Sequence, residues 1–499
     1  MSYRFSKSRY CSGVQCPKIL WLKKNKPELF DTSVMNETIL NTGNEVGDLA
    51  MGLFGDFTEV PFSENLSDMI PATQKLLDNG VKNIAEASFS FDNCFCSVDI
   101  LKNLGNNRVE LYEVKSSTSV KDIYKDDVAY QNYVLTKLGF QVEKVCLVHI
   151  NNQYVRQGDI ELEKFFTIED LTEIAREKFS EVEENIKYLR DYVERESEPE
   201  CEVGEQCSYP YECGYWALCA KNLPKDDIQT VFDISRFSKA MDCYKKGIIT
   251  FEDVYKTGLL KGNQLQQVEV EVKNLPPQIQ KEPIKEFLDT LSYPLYFLDF
   301  ETFNPAIPQY DNSSPFQQIV FQYSLHYKEK EDDELKHCEC LAYPGKDPRR
   351  EIAESLCKDI PKNVCVTAYN MGFEKGVIKN LAQIFPDLEE HLMNIHDNIR
   401  DIMIPFQKRY YYTKEMKGSY SIKYVLPALF PDDPALNYEN LEGVHNGGEA
   451  SSTFLAMQKM DKAELETWRK HLLAYCKLDT LAMVKVFEKL QEPSNPTTF

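Results

Sequence analysis

Two sets of acidic residues in this sequence have the types and spacing of metal-dependent hydrolysis. In the first, Asp99 and Glu113 fall on two neighbouring strand-like runs, Lys115 stands two residues beyond Glu113, and Gln131 follows on a helix-like run. Two carboxylates offer oxygen to a hard divalent cation, and a lysine beside them can position or polarise an attacking water. Gln131 adds an amide able to orient water or phosphate. The competing reading of Glu113 and Lys115 is an exposed ion pair at a strand end. Asp48, in Glu-Val-Gly-Asp-Leu-Ala, is the candidate upstream metal ligand, with a solvated helix carboxylate as the alternative.

The second set starts at Asp299 and Glu301, which stand at i and i+2 and therefore face the same side of an apolar strand. An unpaired carboxylate is costly there, and a bound cation removes that cost. Glu374 follows a strand-to-helix junction, and Tyr475 and Asp479 stand at i and i+4 on one helix face. Four carboxylates around two cations, Mg²⁺ or Mn²⁺, form the clamp that in-line attack of water on a phosphodiester requires. Tyr475 is placed to orient the water or the scissile phosphate.

A third set is made of thiols. Cys207, Cys213 and Cys219 are separated by five residues each, and Cys16 lies far upstream in Gln-Cys-Pro-Lys. Four thiolates can hold an iron–sulfur cluster or a zinc ion. Cys201 and the remaining cysteines of the total of 15 are read as bystanders in the core or on the surface.

The elements that position these residues are legible. Phe95–Leu101 and Arg108–Val114 read as a hairpin, with Lys102–Asn107 as its turn. Lys121–Leu138 reads as a helix and Val142–Ile150 as a further strand. In the second half, the run from Tyr293 to Glu301 reads as a buried strand, followed by strands at Gln317–Lys328, Cys338–Tyr343 and Asn363–Tyr369. Ala463–Leu490 is strongly helical. The division expected is 1–222, a helical connector 223–291, and 292–499.

With 499 residues the chain should hold about two to four domains. Its net charge of −22 excludes binding nucleic acid through overall positive charge, so contact must come from local basic strips. Lys18, Lys23 and Lys24 lie in a stretch, 1–27, that has no acid. Lys408, Arg409 and Lys417 interleave with Tyr410, Tyr411, Tyr412 and Tyr420, as in channels that stack single-stranded bases. The alternatives are a solvated helix face for the first strip and a tyrosine-rich packed strand for the second. No window reaches the roughly 18 apolar residues of a membrane span, no signal-peptide stretch opens the chain, and a cytoplasmic protein is expected.

The order Asp99, Glu113, Lys115, Gln131 resembles the PD-(D/E)XK nucleases, specifically their RecB-like branch, with Val98 where a proline is usual. The resemblance implies a restriction-endonuclease-like fold in which Asp99 and Glu113 bind metal and Lys115 is catalytic. One cysteine before that core and three after it resemble the iron–sulfur RecB-like nucleases of CRISPR adaptation and bacterial recombination. That implies a four-iron, four-sulfur (4Fe-4S) cluster on Cys16, Cys207, Cys213 and Cys219, with Zn²⁺ as the alternative. Asp299, Glu301, Glu374 and Asp479, with Tyr475, resemble the DEDDy branch of the 3′→5′ exonucleases, on a ribonuclease H-like fold. Glu374 departs from the aspartate general in that group. The whole chain resembles the bacterial family called domain of unknown function 2779, through Gln15–Leu22, Cys207–Cys219, Phe297–Phe303 and Gly418–Pro427. The fold class implied is a multidomain α/β protein. The function implied is a metal-dependent nuclease acting on nucleic acid, DNA first. The alternative is that the N-terminal domain only binds and the C-terminal one alone cuts, RNA included.

Overall fold

The computed structural model describes residues 3–35, 37–224 and 228–492. The protein is a mixed α/β chain of two compact units. The first comprises Met1–Lys225, Arg236–Asp242 and Pro305–Phe316, and the second Asp226–Ser235, Cys243–Asn304 and Gln317–Phe499. The segment 223–291 carries helices, as its composition suggests, and is divided between the two units. Among the described residues no helix is long and apolar enough to cross a membrane.

The first unit is built on a six-stranded sheet in sequence order: β1 Thr58–Glu59, β2 Asn83–Phe91, β3 Cys94–Gly105, β4 Arg108–Lys115, β5 Gln141–Ile150 and β6 Phe166–Asp170. Strands β2 to β4 are antiparallel, whereas β4 and β5 run parallel. Two-residue turns close both hairpins: Asp92-Asn93 and Asn106-Asn107 all have positive φ, which short polar side chains tolerate. The second turn is shorter than the expected Lys102–Asn107, because Lys102 and Asn103 stay in the ladder up to a bulge at Gly105.

The parallel β4–β5 pair needs a crossover, and the helix Asp122–Lys137 supplies it. Val128 and Leu135 of that helix pack with Val98, Leu101, Leu111 and Leu147 of the sheet in one core. Helix α1, Lys7–Gln15, lies against the crossover helix, with Tyr10 stacked on Tyr130 at 4.9 Å. Helix α2, Pro17–Asn25, follows after Cys16. Gly13 lets α1 approach its neighbours, since a Cβ there would stand 2.7 Å from the side chains of Leu189 and Leu20.

In the second unit a two-residue ladder joins β7 Gln278–Ile279 to β13 Tyr411–Tyr412. The main sheet has five strands in the order β10 Lys336–Leu341, β9 Ile319–Lys328, β8 Leu295–Phe303, β11 Cys365–Ala368 and β12 Ile399–Asp401. The first three are antiparallel and the last three parallel. Strand β8 is therefore central. Tyr296, Leu298 and Phe300 pack into the core with the helices Arg349–Asp359 and Met371–Ile384. The odd-numbered residues turn the other way, and Phe297 meets Phe487 of the long helix Lys462–Gln491. Asp299 and Glu301 belong to this odd-numbered set.

Candidate metal centres and thiol cluster

The hairpin places Asp99 and Glu113 side by side in the first unit. Asp99 Oδ2 accepts from the Val114 backbone N at 2.7 Å, which fixes its carboxylate against β4. Glu113 is buried, so the exposed-pair reading of Glu113 and Lys115 does not hold. Lys115 Nζ donates to Glu113 Oε1 at 2.6 Å and to Asp127 Oδ2 at 2.7 Å. Gln131 Nε2 donates to Glu113 Oε2 at 2.7 Å and to Asp127 Oδ1 at 3.0 Å. The side-chain oxygen of Gln131 is buried without a hydrogen-bond partner among the described residues.

Three members of this pocket escape the sequence reading. Asp127 could have been found, because it stands one helical turn before Gln131. Glu86 lies where the β2–β3 ladder skips the pair opposite Asp99, with φ of 55°, and accepts from Ser97 Oγ at 2.9 Å. A non-glycine residue at positive φ inside a strand is held there by its surroundings, and such residues gather at functional sites. Lys7 of α1 is the third: its Nζ lies 3.1 Å from Asp99 Oδ1, 2.8 Å from Glu113 Oε1 and 2.9 Å from Glu113 Oε2. By contrast Asp48 is exposed on helix α3, Glu37–Met51. The acid that acts electrostatically on Asp99 besides Glu113 is Glu86.

Burial and the nearby Glu113 push Asp99 up to about 7. Burial alone would raise Glu113 too, but Lys115 and Lys7 outweigh it and hold Glu113 well below the usual carboxylate range. The pocket thus combines one carboxylate kept ionised with one poised near neutrality.

Cys16 joins α1 to α2 and lines a cavity with Cys201, Cys207, Cys213 and Cys219. The sequence reading set Cys201 aside, yet its Sγ lies 3.7 Å from Cys16 Sγ. All are free thiols, and the surrounding wall includes Ile19, Leu22, Tyr215 and Trp216. Burial raises Cys16 to about 12 and Cys219 to about 11. A tetrahedral zinc with Zn–S of about 2.3 Å would hold its sulfurs about 3.8 Å apart. The Cys16–Cys201 pair meets that spacing, but among the described residues no third sulfur joins them within 4.8 Å.

In the second unit the four expected acids and Tyr475 are all drawn together. Among the described residues, the ligand atoms of Asp299, Glu301 and Cys476 lie within 4.8 Å of one another. Cys476 Sγ is 3.8 Å from Asp299 Oδ2. Glu374 comes from the first turn of Met371–Ile384, whose start is fixed by Asp401 accepting from the Asn370 and Met371 backbone N at 3.0 and 3.1 Å. Glu374 is 2% exposed, and its Oε2 has no hydrogen-bond partner among the described residues. Asp479 Oδ1 accepts from Tyr438 at 2.6 Å, and the rings of Tyr438 and Tyr475 are 6.0 Å apart.

These carboxyl groups repel ionisation. Burial and the neighbouring Asp479, Glu301 and Glu374 push Asp299 well above the usual range. Burial and Asp479 do the same to Glu301. Burial raises Glu374 to about 8. It raises Asp479 to about 6 against the opposing pull of Tyr438 and Lys423. Lys423 is exposed and pulls on Glu301 as well. Buried acids with an orphaned oxygen fit a cation.

The basic strips are less available than their charges suggest. Lys18 is buried, with Nζ 2.8 Å from Glu198 Oε1, so it is a structural ion pair and no surface contact. Lys24 pairs with Glu194 at 2.9 Å, while Lys23 is exposed beside Phe30. Arg409 is buried too: it donates to Gly418 O at 2.7 Å and lies 4.0 Å over Tyr412. Tyr411 and Tyr412 are core residues, so the packed-strand alternative describes this part. Lys408 and Lys417 remain exposed.

Residues 296–421 match the family described as Domain of unknown function (DUF2779). That stretch contains Asp299, Glu301 and Glu374. The chain is also similar to uncharacterised bacterial proteins. It is 27% identical to UU173 of Ureaplasma parvum serovar 3 over 276 residues, covering 51% of this chain and 40% of the relative. It is 27% identical to MG366 of Mycoplasma genitalium over 215 residues, covering 39% of this chain and 32% of the relative. The chain thus spans well under half the length of these relatives. No solved structure matches it significantly.

Proposed function

We propose that this protein is a metal-dependent nuclease whose second unit, a ribonuclease H-like domain, removes nucleotides from 3′ ends, with DNA as the first substrate to test. The observation that carries this reading is the meeting of Asp299, Glu301, Glu374 and Asp479, from three separate segments, in a buried site with an orphaned Glu374 oxygen. Divalent cations there, Mg²⁺ or Mn²⁺, would supply Lewis acidity to displacement at phosphorus. Asp299, Glu301, Glu374 and Asp479 are the residues to hold them. Tyr438 holds the Asp479 carboxylate through its hydroxyl, and Tyr475 stands beside it to orient water or phosphate. Lys423 offers the nearby positive charge that a phosphate needs.

The first unit is read as a RecB-like PD-(D/E)XK domain. Support comes from Asp99 and Glu113 on paired strands, Lys115 held by Asp127, and Gln131 on the crossover helix. The thiols of Cys16, Cys207, Cys213 and Cys219, with Cys201 beside Cys16, are read as holders of a 4Fe-4S cluster, and what supports this is that all five line one cavity. Zinc remains the alternative, and visible absorption after anaerobic purification separates the two. The Lys7 ammonium on Asp99 and Glu113 favours the second reading, in which this pocket does not cut.

Nuclease assays on end-labelled DNA and RNA test both. Digestion unchanged in both Asp299→Ala and Asp479→Ala would defeat the exonuclease assignment. Internal or 5′-end cleavage that survives Lys115→Ala would remove catalysis from the first unit.

A further inference from the structure

Three carboxylate oxygens in the first unit converge on one point, and that point is an ammonium nitrogen. Lys7 Nζ sits 2.8 to 3.1 Å from Asp99 Oδ1 and both oxygens of Glu113. A divalent cation gathers carboxylate oxygens in the same way, at about 2.0–2.6 Å. Two cations do not share such a position, because their repulsion in a buried pocket is strong.

We propose that Lys7 is a built-in competitor for the divalent cation of this pocket, so that metal enters only as the Lys7 side chain swings out. The proposal rests on reading the pocket as a metal site.

The charges around the pocket suit such an exchange. Among the described residues the lysines that act on Asp99, Glu113, Glu86 and Asp127 are Lys7 and Lys115, which leaves an excess of two negative charges when all are ionised. That excess attracts one divalent ion even with Lys7 in place, and it becomes three when Lys7 leaves. Lys115 is the steadier of the two lysines, since Asp127 anchors it from the helix side. Among the described residues Lys7 has no such anchor, and its ion pairs are to Asp99 and Glu113. Lys7 is the first residue of α1, and its side chain is about a quarter exposed. A change of side-chain rotamer carries its ammonium outward and leaves the helix backbone bonds intact. Gln131, whose Nε2 donates to Glu113 and Asp127, stays behind.

The test is Mn²⁺ binding to the full chain, read as loss of the free-ion electron paramagnetic resonance signal, with Asp299→Asn present throughout to weaken the second unit's site. Removing the competitor by Lys7→Met should tighten Mn²⁺ binding at least tenfold. Lys7→Gln, which keeps a polar side chain at the helix start, should do the same, and circular dichroism checks that both fold. Adding Asp99→Asn should abolish the gain. Equal affinity with and without Lys7, at a site that Asp99→Asn destroys, would overturn the competition while leaving the metal site standing. Mn²⁺ binding indifferent to Asp99→Asn in every background would overturn the metal reading and the proposal with it.

Discussion

The two acidic pockets of this molecule solve the same electrostatic problem differently. In the first unit the negative charges are met by lysines: Lys115 and Lys7 reach Glu113 at 2.6 and 2.8 Å. In the second unit no lysine pairs directly with Asp299, Glu301, Glu374 or Asp479 among the described residues, and the nearest help is hydroxyls, a thiol and the more distant Lys423. Burial, joined at Asp299 and Glu301 by repulsion from the neighbouring acids, pushes those carboxyl groups upward. The lesson is that the first pocket is partly neutralised by its own lysines, whereas the second has no lysine at contact distance among the described residues.

The sharpest way to break that contrast is to remove a second-unit acid. Asp479→Asn should lower metal-dependent hydrolysis by about a thousandfold, since a clamped metal is worth several kcal/mol in a transition state. Steady-state digestion of end-labelled substrate reads it. A loss under tenfold would mean that the pocket is not the reaction centre.

A second test is the pH dependence of stability without metal. Acids whose folded pKa lies above the unfolded value bind more protons when folded, so their contribution to stability falls as pH rises through that interval. Glu374, raised to about 8, and Asp479, raised to about 6, set the window from about pH 4 to 8. The thermal midpoint of the metal-free second unit should therefore drop across it, and Mn²⁺ should restore most at the alkaline end. A flat profile would erase the distinction from the first unit, where Asp99 is raised but Glu113 is held low by lysines.

Tyr438→Phe is a smaller perturbation. It removes one hydrogen bond to a carboxylate, worth about 1.5–3 kcal/mol, and should raise the Mn²⁺ concentration for half-maximal activity by tenfold or more. An unchanged metal requirement would make Tyr438 a packing residue. The smallest effect is expected at the thiols. Because Cys16 and Cys201 stand 3.7 Å apart, either single serine variant should retain bound metal and the double variant lose it. Iron and zinc analysis with the visible spectrum decides. Loss on Cys16→Ser alone would restore Cys201 to a bystander.

Much of the second site is legible in the sequence because each acid sits in a strong local pattern. Asp299 and Glu301 interrupt an apolar strand, and Tyr475 and Asp479 share a helix face. The same holds for Glu113, Lys115 and Gln131. What stays hidden is long-range. Lys7 meets residues 92 and 106 positions away, and no local period announces that. Tyr438 reaches Asp479 across 41 residues. Lys18 and Arg409 mislead for another reason: long basic side chains bury their stems and pair inside, so charge in a sequence is a poor guide to exposure. The strand order of either sheet is likewise outside what a single pattern of apolar residues conveys.

As proposed, the second unit shortens nucleic acid from the 3′ end. The most direct measurement follows a 5′-labelled single strand on a sequencing gel with Mg²⁺ or Mn²⁺, comparing the unaltered protein with Asp299→Ala. The expected result is a ladder of products shortened one nucleotide at a time from the 3′ end, absent in Asp299→Ala and absent without metal. An identical ladder from Asp299→Ala, or products released only from the 5′ end, would contradict it.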